Sequence, residues 1–336
     1  MEEREMEKEW GRADLLGVSS AYWRGCTLQA GVRLGIFTEL GEQTLAGEEV
    51  AAAIGGERRA TGLLLDALAG MGLVEKQDDR YRNSTAARDM LIAGAPGYLG
   101  HIILHHHHIL DGWAQLDRAV ICGGPVRKRS YGAEIERESF LMGMFNLAMG
   151  IAPLVAGQMP LAGRRRLLDL GGGPGTYAIH FCLAHPDLHA VIYDRPTTAP
   201  FAHATVDKFG LTGRIEFHPG DFVSDPIGGG PYDAAWLSHI LHSNDSAQCR
   251  LFIDKTAAAM APGGVIMVHD FILDDSGDSP EFATLFSLNM LVNNGRGRSY
   301  REREIREMLE QAGFGRIERL AFRGPNDSSV MIGVKQ

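Results

Sequence analysis

The chain contains no run of about twenty apolar residues, so no segment is suited to cross a bilayer as a helix. Its start, Met1-Glu2-Glu3-Arg4-Glu5, is acidic and lacks the basic opening and apolar core of a signal peptide. A cytoplasmic location is the expectation. Cysteine is scarce: Cys26, Cys122, Cys182 and Cys249 are scattered, with no Cys-x-x-Cys pair. That spacing argues against a zinc knuckle or a disulfide framework and leaves four small hydrophobes expected to be buried. Positive charge is also short, with 33 Lys and Arg against 42 Asp and Glu and a formal net charge of −9. This is the wrong balance for a surface built mainly for nucleic acid or anionic lipid. What is present is a globular composition, 45% hydrophobic and 22% charged, in 336 residues, enough for two domains and a large core.

The first ninety residues read as helices followed by a hairpin. Ala21, Trp23, Leu28, Val32, Ile36 and Phe37 make a helical pattern between Leu15 and Leu40, with Leu28, Val32 and Ile36 four residues apart, punctuated by Gly35 and Gly41. Glu48 to Ile54 and Glu57 to Met71 predict two more helices separated by Gly55-Gly56, and Leu73 to Asn83 predicts a hairpin turning at Asp78-Asp79. Helices followed by a hairpin make a winged-helix arrangement, which raises DNA binding as a function. The helix that would enter the groove begins Glu57-Arg58-Arg59 but continues with three leucines and Asp66, a face better suited to packing or dimerisation.

Residues Gly97 to Cys122 predict a further helix holding His105-His106-His107-His108. At helical spacing His101, His105 and His108 share a face, which suits a metal site, the cover of a partly wet surface or the lining of a pocket. No carboxylate or cysteine stands at ligand spacing beside them, which argues against the metal. His105 and His108 are accordingly candidate substrate-lining residues, and no metal is assigned.

From Arg166 onward the pattern alternates strand and helix, the mark of an α/β doubly wound sheet. Candidate strands are 166–170, 189–193, 214–217, 234–237, 265–268, 317–322 and 329–334. The first runs Leu167-Leu168-Asp169-Leu170 and turns at once into Gly171-Gly172-Gly173-Pro174-Gly175. Such a strand, tight turn and helix start aims unpaired backbone N–H groups at a ligand above the sheet. A dinucleotide fingerprint wants a small residue three after the second glycine, but Thr176 stands there. Asp194 closes the second strand about twenty residues on, with Arg195 beside it, where a carboxylate accepts from ribose hydroxyls; a helix N-cap is the competing role.

The Gly171-x-Gly173-x-Gly175 stretch resembles the first motif of class I S-adenosylmethionine (SAM) methyltransferases. Residues 15 to 90 are similar to the dimerisation domain of small-molecule O-methyltransferases of the plant caffeate and hydroxyindole type. The resemblance implies a seven-stranded, mostly parallel Rossmann-like sheet whose last strand is antiparallel, SAM as cofactor, and a homodimer formed through an N-terminal α-helical winged-helix domain. It makes Asp169, Gly171, Gly173, Asp194 and Arg195 cofactor residues. Gly220-Asp221-Phe222 resembles the motif whose Asp receives the adenine amino group and whose neighbour packs on the ring, and Ser238 would face the cofactor. His242 matches the family's proton-removing histidine, although Ser243-Asn244 replaces the usual Asp-Trp after it. Asp270 falls where the family places the carboxylate that holds this base. His239 and His269 are rivals to His242. Phe145, Asn146 and Met149 match a Phe-Asn-x-x-Met signature lining the acceptor pocket. One family acid is missing, because Gly295 to Tyr300 offers no glutamate; Asn293 and Asn294 are the nearest substitutes.

The expectation is three segments: residues 1–95 for dimerisation, 96–160 as connecting helices that contribute to the acceptor pocket, and 161–336 for SAM and catalysis. The expected activity is methyl transfer to a hydroxyl of a small aromatic or conjugated molecule, with neither nucleic acid nor membrane as partner. Two alternatives stand beside it: a non-methylating SAM-binding member of the same fold, decarboxylase- or hydroxylase-like, and a winged-helix regulator that senses SAM.

Overall fold

The computed structural model describes residues 9–126 and 133–336. These fall into two compact units, the first ending at His108 and the second starting at Ile109. Among the described residues no helix is long and apolar enough to cross a membrane.

The first unit carries α1 (Arg12–Ser20), α2 (Tyr22–Arg33), α3 (Ile36–Leu40), β1 (Leu45–Ala46), α4 (Gly47–Ala53), α5 (Arg58–Gly70), β2 (Val74–Gln77), β3 (Arg80–Asn83) and α6 (Thr85–Met90). The helix starts have local causes. Glu57 caps α5 by accepting from the Arg59 and Ala60 N–H groups, and Ser84 caps α6 through Ala87. In α5, Thr61, Leu65 and Leu68 recur at four and three residues and are buried, whereas Leu63 points outward. The β2–β3 hairpin turns at Asp78, whose backbone is left-handed at φ 54°. The two-residue β1 joins it, completing a three-stranded sheet in the order β1-β3-β2. Inside, Asn83 donates its amide to the carbonyls of Phe37 and Gly41 and so ties the hairpin to the end of α3.

The helix expected over 97–122 is two, α7 (Gly100–Trp113) and α8 (Leu116–Cys122). The break follows from tertiary contacts: Gly112 lies against Val292, and the Trp113 indole donates to Asn289 at 3.0 Å. Of the four cysteines, Cys182 and Cys249 are buried, Cys26 is half-buried and Cys122 is exposed at the end of α8. The expectation that all four are interior fails for Cys122, because α8 turns its last turn to solvent.

The second unit contains α8, α9 (Ala133–Ala156), β4 (Arg166–Leu170), α10 (Thr176–Ala184), β5 (His189–Asp194), α11 (Ala199–Lys208), β6 (Ile215–Pro219), β7 (Tyr232–Ser238), α12 (Ser246–Ala259), β8 (Met260–Asp270), α13 (Glu281–Asn293), α14 (Glu302–Gln311), β9 (Phe314–Arg319) and β10 (Ser329–Lys335). Its seven strands order as β6-β5-β4-β7-β8-β10-β9. The pairs from β6 through β8 are parallel, and β10 runs antiparallel to both β8 and β9. Side-chain alternation splits the core between the two faces. Leu167, Ile192, Trp236 and Met267 pack with α9, α10 and α11, while Leu168, Val191, Leu237 and Val268 pack with α12 and α14. Strands covered on both sides are apolar throughout, which is why they stand out in the sequence. The ninth strand starts three residues earlier than expected: Leu320 and Phe322 fold onto the core instead of extending the edge ladder.

Candidate active site

The sheet order reverses beside β4, and the carboxyl ends of β4, β5, β7 and β8 meet there. After β4 the chain turns through Gly171, Gly173 and Gly175, all left-handed, with φ of 65°, 55° and 81°. Gly171 is further constrained because a Cβ on it would collide with Ile240 Cδ1. Asp169 points under this turn. It is 1% exposed, one oxygen accepts from the Ala178 N–H at 3.3 Å, and the other has no partner. Burial pushes its carboxyl up to about 7, against the Ala178 hydrogen bond.

Asp194 is the strand-end residue of β5 and braces the same turn. It accepts from Gly173 N at 2.8 Å, Arg195 N at 2.6 Å and the Thr198 hydroxyl at 3.3 Å. A carboxylate has about four acceptor positions, so one remains for a ligand. Burial holds its pKa above the usual range despite these bonds. The Arg195 side chain is exposed and contributes its backbone N–H here. Beyond β6, Asp221 accepts from Val223 N at 2.9 Å, and the half-buried Phe222 meets Phe252 edge-on at 4.9 Å. Ser238, at the end of β7, shares a hydrogen bond with His269 Nδ1 at 2.9 Å.

The three histidines of the β7–β8 ends separate by their partners. His269 is fully buried, with Nδ1 on Ser238 and Nε2 on the Ser328 hydroxyl at 3.1 Å, and it stacks on Trp236. Burial drives its pKa well down, so it is neutral and has both ring nitrogens engaged. His242 sits in a short turn after β7 and is 7% exposed. Its Nδ1 lies 2.7 Å from Asp270 Oδ1, and its backbone N–H donates to Asp270 Oδ2 at 3.2 Å. Burial alone would raise Asp270, but the two neighbouring histidines outweigh it and hold the carboxyl far below the usual range. His239 is more open, with Nδ1 at 3.7 Å from Asp270 Oδ1, beyond hydrogen-bond reach.

Three phenylalanines at this end are not singled out by the sequence pattern. Phe286 meets the His242 ring edge-on at 4.7 Å, Phe271 packs on Phe286 at 4.5 Å, and Phe282 packs on Phe271 at 4.9 Å. The available signal is the four-residue spacing of Phe282 and Phe286 on α13, which reads equally as ordinary core. The segment lacking the family glutamate is held by Asn294, which donates to Ser243 O and accepts from the Arg296 and Gly297 N–H groups. Gly297 approaches so closely that a Cβ would strike the His242 carbonyl. Asn293 bonds within α13, to Asn289. Among the described residues, Asp270 is the one carboxylate paired with His242.

On α9, Phe145, Asn146 and Met149 are half-buried, and the Asn146 carbonyl oxygen is buried without a partner. His105 and His108 lie on α7, in the first unit.

Two family models match the chain: an O-methyltransferase domain over residues 110–315 and an O-methyltransferase dimerisation domain over residues 16–92. The chain is 33% identical to a 3-hydroxy-5-methyl-1-naphthoate 3-O-methyltransferase of Streptomyces sahachiroi, covering 96% of this chain and 94% of that one. It is 32% identical to the N,N-dimethyltransferase OxyT of Streptomyces rimosus, over 89% and 90%. Human N-acetylserotonin methyltransferase, solved in complex with SAM, has the same fold, with a TM-score of 0.85 at 24% identity over 98% and 99% of the two chains.

Proposed function

The chain is a SAM-dependent member of the O-methyltransferase family, and from that premise we propose that it methylates a hydroxyl of a small aromatic molecule, with His242 as general base and Asp270 as the carboxylate that orients it. The observation that carries this reading is the 2.7 Å contact between His242 Nδ1 and Asp270 Oδ1. With Nδ1 committed to the carboxylate, only Nε2 is left to accept a proton.

The residues around the glycine turn fit the cofactor. Gly171 and Gly173 keep the cradle clear of side chains, and the partnerless Asp169 oxygen beneath it is an acceptor left for the cofactor's cationic amino group. Asp194 would take the ribose, Asp221 the adenine amino group, and Phe222 the face of the ring. Ser238 reaches this side through the hydroxyl that His269 orients. Bound there, SAM supplies an electrophilic methyl group on its sulfonium.

The chain's own work is then positioning and one proton transfer. Phe271, Phe282 and Phe286 give an apolar wall of mutually tilted rings for an aromatic acceptor and exclude water from the His242 side. Phe145 and Met149 add apolar surface from α9, and Asn146 offers its buried oxygen to a polar substituent. His242 Nε2 withdraws the hydroxyl proton as the oxygen becomes nucleophilic, and Asp270 stabilises the resulting imidazolium. A phenol near pKa 10 needs this help at neutral pH, and the contribution is on the order of 10²–10⁴-fold.

Two copies pair through the N-terminal helices, where Leu15, Leu16, Val18, Tyr22 and Trp23 are more than half exposed. The winged-helix-like unit serves this pairing, not DNA. Likeness to OxyT, named an N,N-dimethyltransferase, makes a nitrogen acceptor the second reading. Incubation with SAM and a panel of hydroxy- and amino-substituted bicyclic aromatics, followed by mass spectrometry and S-adenosylhomocysteine assay, decides between them. A methyl group gained on oxygen is expected; exclusive N-methylation, or product without S-adenosylhomocysteine release, overturns the reading.

A further inference from the structure

The proton-transfer reading leaves one member of the β7–β8 cluster idle. His239 has a left-handed backbone at φ 56°, uncommon for a residue with a Cβ. Its N–H is tied to His269 O at 2.8 Å, and its ring is wedged between Phe271 at 4.7 Å and His269 at 4.6 Å. This places Nδ1 in a buried position with no hydrogen-bond partner, facing Asp270 across 3.7 Å. One donor atom from each of His239, His242 and Asp270 lies within 4.8 Å of the other two.

Two imidazoles and a carboxylate are a donor set that borderline divalent ions accept, with bonds of about 2.0–2.2 Å. Tetrahedral donors at that radius stand roughly 3.4 Å apart. The separations from Asp270 Oδ1 to His242 and to His239, 2.7 and 3.7 Å, straddle that value. We infer that His239, His242 and Asp270 form an inhibitory binding site for a zinc-class divalent cation. The site rests on the reading of His242 as the base, and the chemistry of inhibition follows from it. The metal takes the Nδ1 lone pairs of both histidines and one oxygen of Asp270, and the His242–Asp270 hydrogen bond is lost. The proton that His242 carried on Nδ1 moves to Nε2, so a neutral ring releases none. Nε2 is then an N–H donor and has no lone pair for the acceptor's proton. A fourth metal position stays open to water, as in three-ligand zinc sites.

The test uses the full-length protein with zinc and cobalt as probes. Zinc titration calorimetry should give one site per chain, and cobalt should give the visible ligand-field band of a four-coordinate ion without a thiolate charge-transfer band. Zinc should abolish methyl transfer and EDTA should restore it. His239→Asn keeps a residue suited to left-handed backbone while removing the imidazole. It should weaken zinc binding at least about a hundredfold, more than losing an outer-shell partner costs, and shift the inhibitory zinc concentration equally. Its metal-free turnover should stay within about threefold. Zinc binding and inhibition unchanged in His239→Asn would place the metal elsewhere, at the α7 histidines or Cys122, and overturn the site. A thiolate band in the wild-type protein would do so even if the variant failed to fold. Cobalt bound at the cluster while turnover continues would overturn the base assignment, because catalysis would then proceed with Nε2 blocked.

Discussion

The two ends of the site are made of different materials. The β4–β5 end is built from backbone: a left-handed glycine turn whose Gly173 N–H is held by Asp194, over a buried Asp169. The β7–β8 end is built from side chains: His242 and Asp270 with Phe271 and α13's Phe282 and Phe286. A backbone cradle holds a group common to every reaction of the family and tolerates little change. A side-chain cluster can be reassembled from other positions, which is how an acceptor site can change while the cofactor end stays put. The missing glutamate and the altered residues after His242 both lie on the side-chain end.

The sharpest way to separate the two ends is His242→Ala. Turnover should fall about 10²–10⁴-fold, roughly 3–5 kcal/mol of barrier, while the SAM dissociation constant from calorimetry stays within about twofold. A variant that turns over like the wild type would remove the proton-transfer role. His269→Phe makes the complementary change beside it. It keeps a ring on Trp236 but leaves the hydroxyls of Ser238 and Ser328 without their shared partner. Urea unfolding should show a loss of about 2–4 kcal/mol for the two hydroxyls, with turnover per folded molecule reduced less than about tenfold. A collapse of turnover to the His242→Ala level at wild-type stability would make His269 part of the chemistry.

Gly171→Ala probes the boundary between the ends. The left-handed backbone costs an L-residue about 1–2 kcal/mol, so SAM affinity should weaken roughly tenfold. The new Cβ also presses on Ile240, two residues before His242. If turnover at saturating SAM is unchanged, the two ends are energetically separate; a parallel loss would show that they are coupled through Ile240.

The same contrast governs what the sequence discloses. Parallel strands buried on both faces and a glycine turn leave a local signature, so the seven-stranded sheet and the strand-end places of Asp169, Asp194 and Asp270 are legible in the residue pattern, whereas His242, in the turn after β7, is singled out only by its resemblance to the family's histidine. The aromatic wall is not legible, because Phe286 reaches His242, and Phe282 reaches Phe271, through the packing of α13, and their spacing fits any amphipathic helix. Nor is the distinction among the histidines: His239, His242 and His269 lie within 31 residues, and only the partners of each ring nitrogen tell them apart. The break between α7 and α8 has the same origin, since it depends on Trp113 finding Asn289.

The smallest expected effect is electrostatic and belongs to the cradle. Burial raises Asp169 to about 7, above its unfolded value near 4. Between those values the unfolded chain has lost the proton and the folded one has kept it, so this group costs stability as pH rises through that window, and the cost levels off above about 7. Binding of a cation beside Asp169 lowers its pKa, so SAM affinity should increase as pH climbs toward 7 and then flatten. The limit is about tenfold per pH unit, and a few-fold gain between pH 6 and 7.5 is expected. Over this range the SAM amino group stays largely protonated. Asp194, raised by the same burial, adds a share of its own, so the decisive comparison is with Asp169→Asn. Calorimetry at three pH values should show a shallower slope in the variant; an identical slope would mean that Asp169 does not face the cofactor's charge and that the cradle works through its backbone alone.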